Sequence, residues 1–293
     1  MREKKQVPEQ KLLWGTILTL ASGFCYALYS LLAKWTQQKG VNFYQISFFT
    51  FFISWIGLTP YLLRKQLHHL KTTQFSWMFL RSIFGMLIVY FFVISLQTIP
   101  LVDAVMLNNA APLFIPIVAF FILKIPINHR LWWPIVLGLI GIGLILRPDK
   151  QLFNVGGIWG VLSAIAMAFS WVSIRKLTYT EPVTRIVFYF LSIATVITAI
   201  PLLWKWEPLP PSVWIFLILI GLSYLLTVSS FTLAAKMMSV TIVSMLYYSV
   251  IIFSVLLNWL FFHQLPDFMI VCGILLVTGG GILSLWIEGR KVK

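Results

Sequence analysis

The stretch FSWMFLRSIFGMLIVYFFVISL (75–96) is followed, after four residues, by LVDAVMLNNAAPLFIPIVAFFIL (101–123). Each run is long enough for a helix that crosses the hydrocarbon core of a bilayer, which takes about 20 apolar residues. A soluble protein could not cover two such runs joined by so short a connection. The stretch therefore predicts two transmembrane helices joined by a tight turn.

The same pattern extends in both directions from this stretch. Of the 293 residues, 60% are hydrophobic and only 10% are charged, whereas about a quarter of a soluble domain is charged. Helices are the open-chain structure that satisfies backbone polar groups in lipid. We therefore expect an all-α integral membrane protein with ten transmembrane helices, near residues 14–33, 43–63, 75–96, 101–123, 131–146, 157–174, 183–204, 213–233, 240–262 and 268–287.

The basic residues predict the orientation. With the N-terminus inside, the inner loops and tails carry 16 of the 22 Lys and Arg residues, the outer loops carry 5, and Arg81 lies within a span. This bias follows the positive-inside rule. It accounts for much of the net charge of +14 without a nucleic-acid partner. We expect a multi-pass protein of the cell inner (plasma) membrane, in contact with the lipid bilayer and with both termini cytoplasmic.

The chain also repeats itself. Three pairs of residues near helix ends recur at offsets of 145, 141 and 137, namely Trp14 with Trp159, Pro60 with Pro201, and Leu96 with Leu233. Since each half has five spans, an odd number, the second half must enter the membrane from the opposite side. We expect two inverted five-helix repeats, at residues 1–148 and 149–293, an architecture common among secondary transporters.

The segment RSIFGMLIVYFFVISLQTIPLVDAVMLNNAAPLFIPIVAFFILKIPINHRLWWPIVLGLIGIGLILRP (81–148) carries a family likeness. An Arg and a Gly open the third span, a Pro-Leu-x-Asp-Ala turn follows, and then come Ala-Pro-Leu-Phe and a Gly-rich span ending in Arg-Pro. In this order and spacing the chain resembles the EamA-type family of the drug/metabolite transporter superfamily. The two central motifs are most similar to the branch that includes S-adenosylmethionine uptake carriers.

The resemblance implies ten spans, cytoplasmic termini and transport of small metabolites. Two departures put any role of the family's glutamates in doubt. Lys124 and His263 stand where the family usually has Glu after the fourth and ninth spans.

Polar residues near the middle of two equivalent spans are the first candidates for a substrate-binding site. Asn108 and Asn109 lie about two turns into the fourth span. The 137 offset places Tyr247 and Tyr248 of the ninth span opposite them. Amides and phenols offer hydrogen bonds, and the rings offer stacking faces. The alternative is hydrogen bonding between helices without a ligand.

Arg81, Trp171 and Tyr26 complete the predicted substrate-binding set. Ionisable groups inside a membrane are costly, so Arg81 is a candidate by default, although it could instead snorkel to the inner surface or pack between helices. Trp171 and Tyr26 could contribute ring faces or belong to an interfacial aromatic belt. Such a site suits a neutral, zwitterionic or partly anionic metabolite with a flat or apolar part.

The sequence favours a secondary transporter of a small organic metabolite, such as an amino acid, a nucleoside-like compound or S-adenosylmethionine, over an enzyme. His263 and Asp267 are one residue too close for an acyltransferase motif, and no His/Glu pair has zinc-ligand spacing. We expect no metal and no cofactor. Alternatives are a multidrug or metabolite exporter of the same fold and a non-transporting membrane scaffold. A homodimer through the glycine-rich helices is a further expectation, since Gly138, Gly141 and Gly279 to Gly281 allow close helix approach.

Overall fold

The computed structural model describes residues 9–64, 71–123, 130, 132–146, 155–238, 243, 246–263 and 268–290. These residues form helices joined by short turns, and no β-strand occurs among them. The α-helices are α1 (Glu9–Gln38), α2 (Phe43–Arg64), α3 (Phe75–Thr98), α4 (Leu101–Asn108), α5 (Ala111–Leu123), α6 (Trp132–Leu146), α7 (Val155–Leu177), α8 (Val183–Lys205), α9 (Trp214–Met237), α10 (Ser249–Phe262) and α11 (Phe268–Arg290).

Within the described ranges, five helices are at least 18 residues long and apolar enough to cross a membrane. They are α1, α3, α7, α8 and α9, the last extended by the 3-10 turn at Pro211–Val213. Shorter apolar helices occupy the places of the predicted fourth, fifth, ninth and tenth spans. The predicted second span corresponds to α2, which belongs to neither group. The prediction of an all-helical membrane protein is confirmed, while the count of ten spans stays a prediction.

The predicted fourth span is not one continuous helix. Asn109 and Ala110 form a turn that separates α4 from α5. Pro112 accounts for the break, because its ring clashes with the carbonyl four residues earlier and it has no backbone N–H to donate. At the second position of α5 the same proline costs little, since that N–H would have no partner within the helix.

The predicted ninth span is also interrupted, because a turn separates the helical residues Leu246 and Tyr247 from the helix that follows. Tyr248 lies in a turn, and α10 begins only at Ser249. Pro60 and Pro201 lie near helix ends, as expected, because each is four residues before the last residue of its helix, Arg64 in α2 and Lys205 in α8.

Helices of the first half pack mainly on helices of the second half. The principal pairs are α1 with α9, α3 with α7, α6 with α11, and α2 with both α8 and α9. Serine hydroxyls support two of these contacts, since Ser22 donates to the carbonyl of Thr227 at 2.9 Å and Ser54 to that of Gly221 at 2.7 Å. The core of the molecule therefore lies between the two halves of the chain.

Glycines allow α6 and α11 to approach within backbone contact. A Cβ atom at Gly141 would lie 2.8 Å from the carbonyl oxygen of Gly273, and one at Gly280 would lie 2.7 Å from that of Pro134. These positions serve packing within one chain. The homodimer stays a prediction. Gly279 has nothing within 4 Å of its Cβ position, so a second chain could approach the helix there.

Candidate functional site

A small cavity of about 50 Å³ lies between α1, α3, α7, α9 and Tyr247, which is two residues before α10. Residues on the walls of α7 and α9 recur every three to four positions, which places them on one face of each helix. The lining consists of five aromatic residues (Tyr26, Trp171, Tyr224, Phe231, Tyr247), four polar or charged residues (Arg81, Ser170, Thr227, Thr232) and four aliphatic ones (Ile88, Met167, Ile174, Val228).

The aromatic side chains of this lining contact one another around Tyr247. The ring of Tyr247 lies 5.5 Å from that of Trp171 and 5.2 Å from that of Phe231, both nearly edge to face, and 6.2 Å from that of Tyr26. These centroid distances fall in the range of favourable aromatic pairs. The cluster offers ring faces and edges from both halves of the chain at one place.

A buried hydrogen-bond network supports one wall of the cavity. The Tyr26 hydroxyl donates to Asn108 Oδ1 at 2.9 Å, and Asn108 Nδ2 donates to Ser163 Oγ. The Ser163 hydroxyl donates in turn to the carbonyl of Ile88 at 3.0 Å. The network therefore connects α1, α4, α7 and α3, and it fixes the position of the Tyr26 ring.

Arg81 lies in the interior and does not extend to a helix end. Only 5% of the surface of Arg81 is exposed, and its Cζ atom lies 4.0 Å from the centre of the Phe190 ring. Gly85, one turn further along α3, makes room for the guanidinium, since a Cβ there would lie 1.9 Å from Arg81 Nη1. In the described part of the chain, Arg81 Nε and Nη1 have no hydrogen-bond partner.

The structure brings together four of the seven predicted site residues, because Tyr26, Arg81, Trp171 and Tyr247 all line the cavity. Asn108 lies behind the wall, bonded to Tyr26.

The other two predicted residues point elsewhere. Asn109 donates from Nδ2 to the carbonyl of Val105 at 2.7 Å and so closes the end of its own helix. Tyr248 is buried outside the lining, and its hydroxyl has no partner among the described residues.

Sequence reasoning missed several wall residues, among them Ser170, Thr227 and Phe231. A helical signal was available for them. Trp171 shares a face of α7 with Met167, Ser170 and Ile174, and Tyr224 shares a face of α9 with Thr227, Val228 and Phe231. Once one aromatic residue is placed at the cavity, the positions three, four and seven residues away follow, and the same step from Met167 then reaches Ser170.

A second, larger cavity of about 670 Å³ lies between α2, α8 and α9. It is bordered by Tyr61 near the end of α2, Thr184 near the start of α8, and Lys236 near the end of α9. None of the described residues that line this larger cavity also lines the small cavity between α1, α3, α7 and α9.

Comparison with known proteins identifies the family. The sequence model of the EamA-like transporter family matches the chain twice, over residues 13–147 and 154–286. The chain belongs to the EamA-like transporter family. The resemblance inferred from residues 81–148 is thereby confirmed, and this EamA-like protein is a membrane transporter and not an enzyme.

Named relatives of this EamA-like protein are transporters. It is 30% identical over 269 residues to a pseudopaline exporter of Pseudomonas aeruginosa, covering 90% of this chain and 93% of the relative. It is 24% identical over 287 residues to an S-adenosylmethionine uptake transporter of Rickettsia prowazekii, covering 94% and 96%. A solved crystal structure has the same fold, with a TM-score of 0.65, 18% identity and coverage of 97% of this chain and 99% of that one.

Proposed function

We propose that this EamA-like protein is a secondary transporter that moves a small organic metabolite across the inner membrane by alternating access. The observation that carries the proposal is that the cavity walls come from both halves of the chain. Tyr26 and Arg81 belong to the first half, whereas Trp171 and Tyr247 belong to the second. Inverted-repeat transporters bind substrate at such an interface and expose it alternately by rocking one repeat against the other.

The pairing of helices supports two inverted repeats, at residues 1–148 and 149–293. If α1, α2, α3 and α6 correspond to α7, α8, α9 and α11, then the α1–α9 contact is equivalent to α7–α3, and the α2–α9 contact to α8–α3. The helix breaks agree as well, because α5 begins at Ala111 and α10 begins 138 residues later, at Ser249. Ten spans, with both termini cytoplasmic, complete the proposed arrangement.

The small volume of the cavity supports a proposal about the state of the transport cycle. About 50 Å³ holds one or two water molecules, whereas sites for drug-sized ligands have about 300–1,000 Å³. The walls must therefore part to admit a metabolite. We take the structure as a closed state, with Tyr26, Trp171 and Tyr247 gathered where the substrate binds.

The substrate classes we propose are amino acids, nucleoside-like compounds and derivatives such as S-adenosylmethionine. Ring faces in the wall suit a flat or apolar part, and the hydroxyls of Ser170 and Thr227 suit polar edges. The relatives are named for pseudopaline, S-adenosylmethionine and, in Vibrio cholerae, riboflavin, so membership of the family alone does not choose among these classes.

The test of the proposed function uses two adjacent tyrosines. Tyr247 lines the cavity and Tyr248 does not, although both are buried. Purified protein in liposomes should give saturable uptake for at least one metabolite of a panel of amino acids, nucleosides, riboflavin and S-adenosylmethionine. Tyr247→Ala should weaken the apparent affinity about 5- to 150-fold, the effect of losing about 1–3 kcal/mol of buried contact.

Tyr248→Ala is the matched control and should leave the apparent affinity within about threefold of the unmodified protein, since this phenol touches no described part of the cavity. If both variants lose apparent affinity equally, Tyr247 is not a specific part of the binding site. Absence of any saturable flux would favour a non-transporting scaffold.

The direction of transport can be import or export. Similarity to an S-adenosylmethionine uptake transporter favours import, and similarity to a pseudopaline exporter favours export as the second candidate. An exporter of metabolites or drugs would lower the cellular content of its substrate when produced in cells, whereas an importer would raise it.

A further inference from the structure

We propose that Arg81 binds the carboxylate of the transported metabolite, so that the substrate is an organic acid or a zwitterion and not a simple cation. This inference rests on the proposed transport function and names its substrate class. It starts from one unusual side chain, an arginine that is 95% buried in the middle of a helical bundle.

Buried arginines are normally paired, because an isolated charge in a region of low dielectric constant loses its hydration without compensation. Arg81 Nε and Nη1 have no partner within the described chain. Glu181 is a buried acid two residues before α8, but its carboxylate accepts hydrogen bonds from Thr72, at 2.5 Å, and from Arg185. The N–H groups of Arg81 Nε and Nη1 are therefore available to bind an acceptor from a ligand.

The surroundings of Arg81 hold its guanidinium in place. The Phe190 ring covers one face at 4.0 Å, and the missing side chain of Gly85 leaves room for Nη1. Arg81 also lines the small cavity, together with Tyr224 and Thr227. Arg81 is a charged group fixed by packing at a cavity wall, and it has no ion-pair partner among the residues that the structure describes. Such a group has the properties of a preorganised anion site.

Charge balance selects the carboxylate. No Asp or Glu occurs among the described residues that line the cavity, and Arg81 supplies the single positive charge there. One guanidinium neutralises one carboxylate, often through two parallel hydrogen bonds. A phosphate ester, with a charge of about −1.5 to −2 at neutral pH, would reverse the sign of the charge at this site. A zwitterion leaves the net charge of the site as it was, and its ammonium can lie against the ring faces of Trp171 or Tyr247. A cation would face Arg81 with no acid to offset the repulsion.

Three probes of one shape test this proposal, namely phenylacetate, phenylacetamide and phenethylamine, which are an anion, a neutral amide and a cation. The melting temperature of the purified protein in detergent should rise with phenylacetate and remain unchanged with the other two. Arg81→Gln should weaken phenylacetate binding about 10- to 100-fold, the effect of losing a charge-assisted hydrogen bond. Arg81→Lys should retain part of the shift.

A second measurement separates this role from a purely structural one. Without any probe, Arg81→Met should melt at the same temperature as the unmodified protein or higher, because it removes an unpaired buried charge and keeps most of the side-chain volume. A lower melting temperature for Arg81→Met, together with unchanged phenylacetate binding in Arg81→Gln, would overturn the proposal.

Uptake of the same three labelled probes into liposomes distinguishes this inference from the proposed function. If phenylacetamide or phenethylamine is carried saturably and phenylacetate is not, the protein is a transporter and the assignment of Arg81 is wrong. If phenylacetate shifts the melting temperature through Arg81 but no probe or metabolite is carried, the site stands and the transport function fails. A shift of equal size with phenylacetate and phenylacetamide would also overturn the carboxylate assignment.

Discussion

Asn108 and Asn109 are chemically identical neighbours with different surroundings. Asn108 joins Tyr26 to Ser163 across three helices. Among the described residues, the Asn109 side chain bonds to the carbonyl of Val105 in its own helix. Replacing Asn108 by Ala removes the acceptor of the Tyr26 hydroxyl and one of the two described bonds of Ser163, which keeps its bond to the carbonyl of Ile88. We therefore expect the substitution to lower the free energy of unfolding by about 1–2 kcal/mol. It should also weaken substrate affinity, because Tyr26 loses the bond that positions its ring.

The control is Asn109→Ala, which removes one local bond at the end of α4 and should cost about half as much or less. Denaturant unfolding in micelles compares the two variants, and binding is measured by the ligand-induced change in melting temperature. A larger loss for Asn109→Ala than for Asn108→Ala would contradict the network as described.

At the scale of the helices, the packing of α6 on α11 depends on glycine. A Cβ at Gly280 would lie 2.7 Å from the Pro134 carbonyl oxygen and 3.1 Å from the Gly138 nitrogen. Backbone atoms cannot turn aside as a flexible side chain does, so Gly280→Ala should separate the helices and destabilise the protein by about 1–3 kcal/mol. Thermal unfolding of the purified variant measures this cost.

Gly279→Ala is the matched substitution one residue away. Nothing lies within 4 Å of its Cβ position, and alanine favours a helix over glycine by up to about 1 kcal/mol, so this variant should be neutral or slightly more stable. If the predicted homodimer uses the open Gly279 face, crosslinking in membranes should decrease in Gly279→Ala although the monomer fold is retained. Equal destabilisation by both substitutions would show that the α6–α11 contact is described wrongly.

At the scale of the whole molecule, the charge bias predicts the orientation in the membrane. With 16 basic residues assigned to one side and 5 to the other, both termini should lie in the cytoplasm. A fluorescent reporter fused after Lys293, one that folds only in the cytoplasm, should therefore be active, and a periplasmic phosphatase at the same position should be inactive. The reverse result would invert the orientation and with it the assignment of inner and outer loops.

The sequence by itself determined the class of the protein, the approximate positions of its helices and its family. These properties depend on local composition, because a run of about 20 apolar residues can be satisfied only by crossing a membrane as a helix. The order of motifs around Pro100 and Pro112 identified the EamA-like family in the same way, without reference to any contact.

Only the tertiary structure decided which polar residues face the cavity. Membrane helices are apolar nearly all round, so the sequence carries little information on the rotation of each helix about its axis. The chain therefore gave no means to prefer Asn108 over Asn109, Tyr247 over Tyr248, or an interior Arg81 over a snorkelling one. Packing against helices far away in the sequence fixes that rotation, as when α3 buries Arg81 against Phe190 of α8, more than a hundred residues further along the chain.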